Sequence, residues 1–407
     1  MSHHYSTRDF FRQMPNALLA RYFQERDLFC DLDFTAMKET KPEALFTAWL
    51  ELPDEQRKPM DASFLEISDM SCDKGWLAIL DEAEWQLRAD PDGYADFVEK
   101  LSALANHYER AMVTFLDQAG FWRGATHFYH ADTLSYWRKR KNIPNQPVDL
   151  NPASRAELAG LIGNYFHRTE GRGKNCVAEL FRRGEMDYLF AYPEDYSQQS
   201  VEWVEGELNR RPHNPAFEVV YVYSQKDGSL DLNFRGTPKA IEQLQGMFST
   251  AMLKLPGLPP DPKDKRIYDL NPLRHRNFQF VYDVGSGIKG VTIKKLRFSS
   301  KIEKGDRITL EADASSHADA IYDLIDRSGL SLALYNVTQV ELAALVALDA
   351  SKPAKPVAIR ITYPNSCSLK YDELDLRLRD MLFASGIEPT EPEAELAEAE
   401  TAEPTEA

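Results

Sequence analysis

The stretch from Phe217 to Phe234 reads FEVVYVYSQKDGSLDLNF. Its opening FEVVYVY is rich in β-branched and aromatic side chains, which fit a pleated, buried surface. Lys226-Asp227-Gly228-Ser229 then supplies an Asp-Gly turn. Beyond it Leu230, Leu232 and Phe234 alternate with Ser229, Asp231 and Asn233. Asp-Gly readily takes the positive φ values of a tight hairpin turn, so the stretch predicts a β-hairpin.

Upstream of this hairpin the periodicity is helical. From Thr7 to Asp27 the apolar residues Phe10, Phe11, Met14, Leu18, Leu19, Tyr22 and Phe23 form one stripe. Further helices are predicted over Lys41–Glu51, Asp61–Asp69, Lys74–Leu87 and Asp92–Leu116. An aromatic helix is predicted over His130–Lys141, and another over Ala153–Phe166, with Asn151 as its cap and Pro152 in its first turn. From about residue 176 the pattern becomes strand-like. After the hairpin, Thr237-Pro238 opens a helix to about Leu253, and LPGLPPDPKDK (Leu255–Lys265) reads as a linker held extended by its prolines. Strands are then predicted over Asn277–Val284, Val291–Phe298, Arg307–Ala312, Tyr335–Leu348 and Pro356–Tyr363, with helices over His317–Arg327 and Tyr371–Phe383.

Segregated rather than alternating elements give an α+β fold with mainly antiparallel strands. The expected organisation is a helical domain over 1–150, an α+β domain over 151–254, the linker over 255–265, a second α+β domain over 266–387 and a disordered acidic tail over 388–407. The tail holds eight glutamates and no basic residue, and has almost nothing apolar to bury.

Hydrophobic residues are 43% of the 407 and charged residues 28%, which suits packed domains and excludes wholesale disorder. Glycine and proline are scattered without period, which excludes a collagen-like chain. The four cysteines are far apart with no paired spacing, the N-terminus lacks a signal-peptide pattern, and no apolar run could span a membrane. A cytoplasmic protein without membrane contact is expected.

The net charge of −16 is unevenly spread. Residues 25–99 hold 20 acidic and 7 basic side chains, whereas residues 137–183 hold ten basic and four acidic. Two clusters stand out in the basic block. Trp137 is followed by Arg138, Lys139, Arg140 and Lys141; with Arg182 and Arg183 and nearby aromatics, these could neutralise phosphates beside stacking faces. His167-Arg168-Thr169-Glu170-Gly171-Arg172-Gly173-Lys174-Asn175-Cys176 gathers cations around glycines, the composition of an anion grip. His167 beside Cys176 is also a nucleophile–base pairing to test.

Other motifs have blander readings. Gly285-Ser286-Gly287-Ile288-Lys289-Gly290 matches a dinucleotide fingerprint, but a β-like VTIKKLRF follows where a helix is needed, so a loop between strands is expected. His127 and His130, three residues apart, share a helical face compatible with metal ligation, with the Asp132 carboxylate two residues on, yet they lie among aromatics that suggest packing. Pro260-Asp261-Pro262-Lys263 has nuclease-like letters inside a proline segment that cannot be a central strand. Neither a cofactor nor a metal is expected.

The charge layout points to a non-enzymatic interaction or regulatory protein. It would meet one protein partner through its acidic helices, and nucleic acid or a nucleotide through Arg138, Lys139, Arg140, Lys141, His167, Arg168, Arg172, Lys174, Arg182 and Arg183. The alternatives are an enzyme on a phosphate-bearing substrate gripped at 167–176, and a scaffold without ligand.

Overall fold

The computed structural model describes residues 5–204, 206–259, 267–313, 317–347 and 353–388. Pro15 divides the first predicted helix into α1 (Thr7–Gln13), capped by the Ser6 side chain on the Asp9 N–H, and α2 (Asn16–Gln24). Then come α3 (Glu43–Leu50), α4 (Asp54–Met70) and α5 (Asp73–Gln86). The long helix predicted from Asp92 is also two: α6 (Pro91–Ser102), capped by Asp90, and α7 (His107–Asp117), capped by Asn106. An asparagine in mid-pattern offers its side chain to the backbone and restarts the helix. α8 (Ala119–Ala131) completes the helical region. Its core is aromatic: Phe11, Phe23, Trp49 and Phe64 sit in edge-on or tilted contact with centroids 5.5–6.2 Å apart.

The helix predicted over His130–Lys141 is not there. α8 ends at Ala131, and Trp137–Arg140 is a strand, β1. β1 is laddered on both sides, which supplies the backbone bonds that its short aromatic-basic run could not hold as a helix. Next come α9 (Pro152–Glu170), β2 (Cys176–Arg183), β3 (Met186–Pro193), β4 (Gln198–Val204), β5 (Glu207–His213), β6 (Val219–Ser224), β7 (Ser229–Asn233) and α10 (Pro238–Leu253). The last third holds β8 (Ile288–Ser300), β9 (Arg307–Glu311), α11 (Ala320–Ser328), β10 (Tyr335–Val346), β11 (Lys355–Thr362), β12 (Ser366–Cys367) and α12 (Glu373–Ala384). The strand predicted over Asn277–Val284 is irregular chain instead. Its alternate residues Phe278, Phe280 and Tyr282 do pack on the core, but among the described residues no strand pairs with it. The fold is α+β: helices fill the N-terminal part and the ladders are antiparallel.

The chain forms two compact units. One comprises residues 5–134, Asn145–Gly228 and Glu242–Gly257; the other Ser135–Pro144, Ser229–Ile241 and residues 258–388. These divisions differ from the domain boundaries read from the sequence. The chain crosses between units at Ser135, Asn145, Ser229, Glu242 and Leu258, so proximity in sequence does not track packing. The Asp227-Gly228 turn is present, with Gly228 at φ 55°, and it is one of these crossings.

In the first unit β3 lies between β2 and β6, and Tyr221 packs on Phe248 of α10 and donates to the Leu244 carbonyl. In the second, β10 lies between β8 and β11, and β1 between β7 and β12. Leu296, Phe298, Val340, Leu342, Ile359, Ile361, Leu378 and Leu382 form its core. Glu388, assigned to the tail, is a buried residue of this unit; residues 389–407 and 260–265, including Asp261 and Lys263, lie outside the described residues. Among the described residues no helix is long and apolar enough to cross a membrane.

Candidate functional site

The ten cationic candidates fall in both units. On β1, Lys139 and Lys141 both reach Glu388, at 2.8 and 3.5 Å, and the buried Arg140 donates to the Pro259 carbonyl at 2.6 Å. Burial disfavours the Glu388 charge, but Lys139 and Lys141 outweigh it and hold the carboxyl below its usual range. Arg138 stays part-exposed.

His167 and Arg168 are exposed in the last turn of α9, and Lys174 is exposed in the following loop. Arg172 is not open to a ligand in the same way. It bonds Glu170 and Asp195 at 2.7–2.8 Å and lies 4.0 Å above the Phe217 ring. Arg183 is clamped by Asp81 and Asp132 at 2.6–2.8 Å. Burial opposes its charge, yet these carboxylates keep its pKa raised. The block expected to offer cations therefore spends several of them on the protein's own carboxylates.

Cys176 packs against α9, its Cβ 3.3 Å from where a side chain on Gly163 would begin. Burial pushes its thiol up to about 12, the opposite of an activated nucleophile. His127 contacts Glu179 at 3.0 Å, His130 contacts Glu218 at 2.8 Å, and Asp132 serves Arg183, so the suspected ligands diverge. Among the described residues no group of three or more His, Cys, Asp or Glu could hold a metal. The Gly285–Gly290 stretch passes through Gly287, at φ 80°, straight into β8, so no helix N-terminus faces a phosphate there.

Two features were not anticipated. The first is a cavity of about 160 Å³ lined by Glu82, Trp85, Gln86, Leu150, Leu180, Phe181, Arg182 and Asp187. Residues 75, 78, 79, 82 and 83 form the buried stripe of α5, and four of them are Gly, Ala or Ile. Glu82 is the acid on that stripe, 2% exposed. It fits because α8 presents Gly124 there: a side-chain carbon would come within 2.2 Å of its carboxyl carbon. Burial raises Glu82 to about 7, against a hydrogen bond from Gln86 at 2.7 Å. Asp187, 1% exposed, lies opposite Arg182 in the β2–β3 ladder. Its nearest cation, Arg182 Nε, is 3.8 Å away, too far for a hydrogen bond, and burial raises the acid to about 6. Arg182 in turn lies 5.2 Å from the Trp85 ring. The cavity thus holds two acids that burial drives towards the neutral form.

The second feature is the ribbon β4–β5. It lies in the first unit, beyond the Glu194–Ala216 bridge, and among the described residues it ladders only with itself. Trp203 faces Leu208, Val201 faces Arg210 and Gln199 faces Pro212, so these six share one face. Trp203 is 69% exposed, Leu208 60% and Val201 57%. The other face is mainly polar, carrying Ser200, Glu202, Asn209 and Arg211, with Val204 beside Glu207 at its end.

No known protein family and no curated protein matches the chain.

Proposed function

We propose that the chain is a non-enzymatic interaction protein whose contact element is the β4–β5 ribbon. The observation that carries this is the exposed trio Val201, Trp203 and Leu208 on one face of a ribbon that no core covers among the described residues. A lone two-stranded ribbon is marginal in water, and large apolar side chains left together on one face suit a partner surface. The cytoplasmic location expected from cysteine spacing belongs to the same proposal.

The nucleic-acid branch draws less support. Lys139 and Lys141 are held by Glu388 and Arg172 by two acids, while the ribbon, over residues 198–213, has three glutamates against two arginines. The enzymatic alternative at 167–176 is weakened by the pairing of Arg172 and the neutral thiol of Cys176.

The test is a photo-crosslinking side chain at position 203, compared with one at Leu50, an exposed position at the end of α3. Position 203 should give an adduct of discrete mass in the producing cell, lost on Leu208→Asp. Adducts that are no more discrete from 203 than from 50 overturn the reading.

A further inference from the structure

The two edges of the ribbon differ. Val204 and Glu207 close it across a two-residue connection, so the residue pairs exchanging hydrogen bonds are Val204–Glu207, Glu202–Asn209 and Ser200–Arg211. The backbone N–H and C=O groups of Gln199, Val201 and Trp203 therefore point away from β5, towards an edge on which β4 has no further partner strand among the described residues.

The β5 edge is guarded against its own kind. Pairing ELNRRPH with a second copy about its middle residue would set Arg210 against Arg210, and Pro212 has no N–H to give. The β4 edge has no such guard. QQSVEWV placed antiparallel to itself about Val201 brings Val201 against Val201, Gln199 against Trp203, Ser200 against Glu202 and Gln198 against Val204. No like charges oppose and no proline interrupts. The residues with outward-pointing backbone groups are those that would pair. The apolar faces of both ribbons would join into one continuous stripe.

We infer that a second copy of this chain docks at this edge, by antiparallel β4–β4 pairing across a two-fold axis at Val201. The inference rests on the reading of the ribbon as the contact element and adds the identity of the partner. Seven-residue strands make a small interface, so a reversible dimer is expected rather than an obligate one.

Sedimentation of the full chain from about 1 to 100 μM tests this, a range suited to the weak association of a small interface. The wild type should move with concentration from 46.5 kDa towards twice that mass. Val201→Lys and Val201→Glu each place like charges on the axis and should weaken dimerisation at least about ten-fold. An equimolar mixture of the two should recover it, because Lys then faces Glu. Val201 is exposed, so both variants should keep the wild-type melting profile, and equal far-UV spectra check this. A wild type that stays monomeric, a dimer indifferent to both substitutions, or a mixture as weak as its components overturns the inference. A 203 adduct containing only another polypeptide, or an oligonucleotide, overturns it too while leaving the ribbon's contact role standing; an absence of discrete adducts removes that role itself.

Discussion

Replacing Glu82 by glutamine isolates the more displaced of the two cavity acids. The folded protein raises this carboxyl from 4.5 to about 7, chiefly by burial. A folded-state value above the unfolded one means that the folded state holds the proton more tightly. The stability present at low pH is then lost as pH rises from 4.5 towards 7. At roughly 1.4 kcal/mol per pH unit the full displacement is worth about 3 kcal/mol, and water reaching the cavity screens part of it, leaving about 2. The amide resembles the neutral acid and keeps an oxygen for the Gln86 N–H. Glu82→Gln should therefore match the wild type near pH 4.5 and exceed it by about 2 kcal/mol above pH 7, roughly a thirty-fold change in the folding constant. Urea unfolding of both proteins at intervals from pH 4.5 to 8, followed by far-UV circular dichroism, measures the difference directly. A constant difference across that range, or a variant less stable at pH 8, refutes the assignment of a buried, neutral-leaning acid.

Asp187→Asn should show the same sign over a lower window, between 3.8 and about 6, with a smaller gain because Arg182 loses its neighbour; the same titration series reads it. Glu388→Gln should cost about 1–3 kcal/mol at pH 7, since Lys139 and Lys141 keep their charges and lose the negative charge that faces them, although the amide oxygen can still accept. Because that acid is held below 4.5, the wild-type advantage should fade as pH drops below 4.5, which acid-series melting tests. Gly75→Ala should cost at least about 1–3 kcal/mol in chemical unfolding, because the added carbon would lie 2.0 Å from the Met70 backbone carbonyl oxygen, which cannot swing aside. Changing Arg138, Lys139, Arg140 and Lys141 together to alanine should leave binding to labelled single- and double-stranded nucleic acid unchanged across a salt series; a loss of affinity at low salt would restore the cationic-patch reading.

Local signals were legible where one segment carries its own pattern. The Asp227-Gly228 turn, the cap at Asn151 and the helical N-terminal region follow from the letters alone. The strand identity of Trp137–Arg140 was not legible, because it depends on partners at Leu230–Leu232 and Ser366–Cys367. The cationic residues were legible as a composition, but their neutralisation was not: Arg183 meets Asp81, 102 residues away, and Lys139 meets Glu388, 249 residues away. Glu82 did leave a trace, as a carboxylate on the apolar stripe of its helix. Its cavity neighbour Asp187 left none that can be separated from an ordinary hairpin residue. The ribbon was missed because VEWV reads as a strand whether or not anything packs on it; only the folded chain shows Val201 and Trp203 left exposed among the described residues.

The interleaving of the two units bears on how the chain can be divided. β1 and β7 belong to the second unit, yet both precede Leu258, where its main body begins. A fragment starting at residue 258 would strip β12 of its β1 neighbour and remove Trp137 from Tyr371. Cutting at a loop is therefore a poor way to obtain that half alone; a circularly reordered or co-expressed pair of pieces is the route the connectivity leaves open.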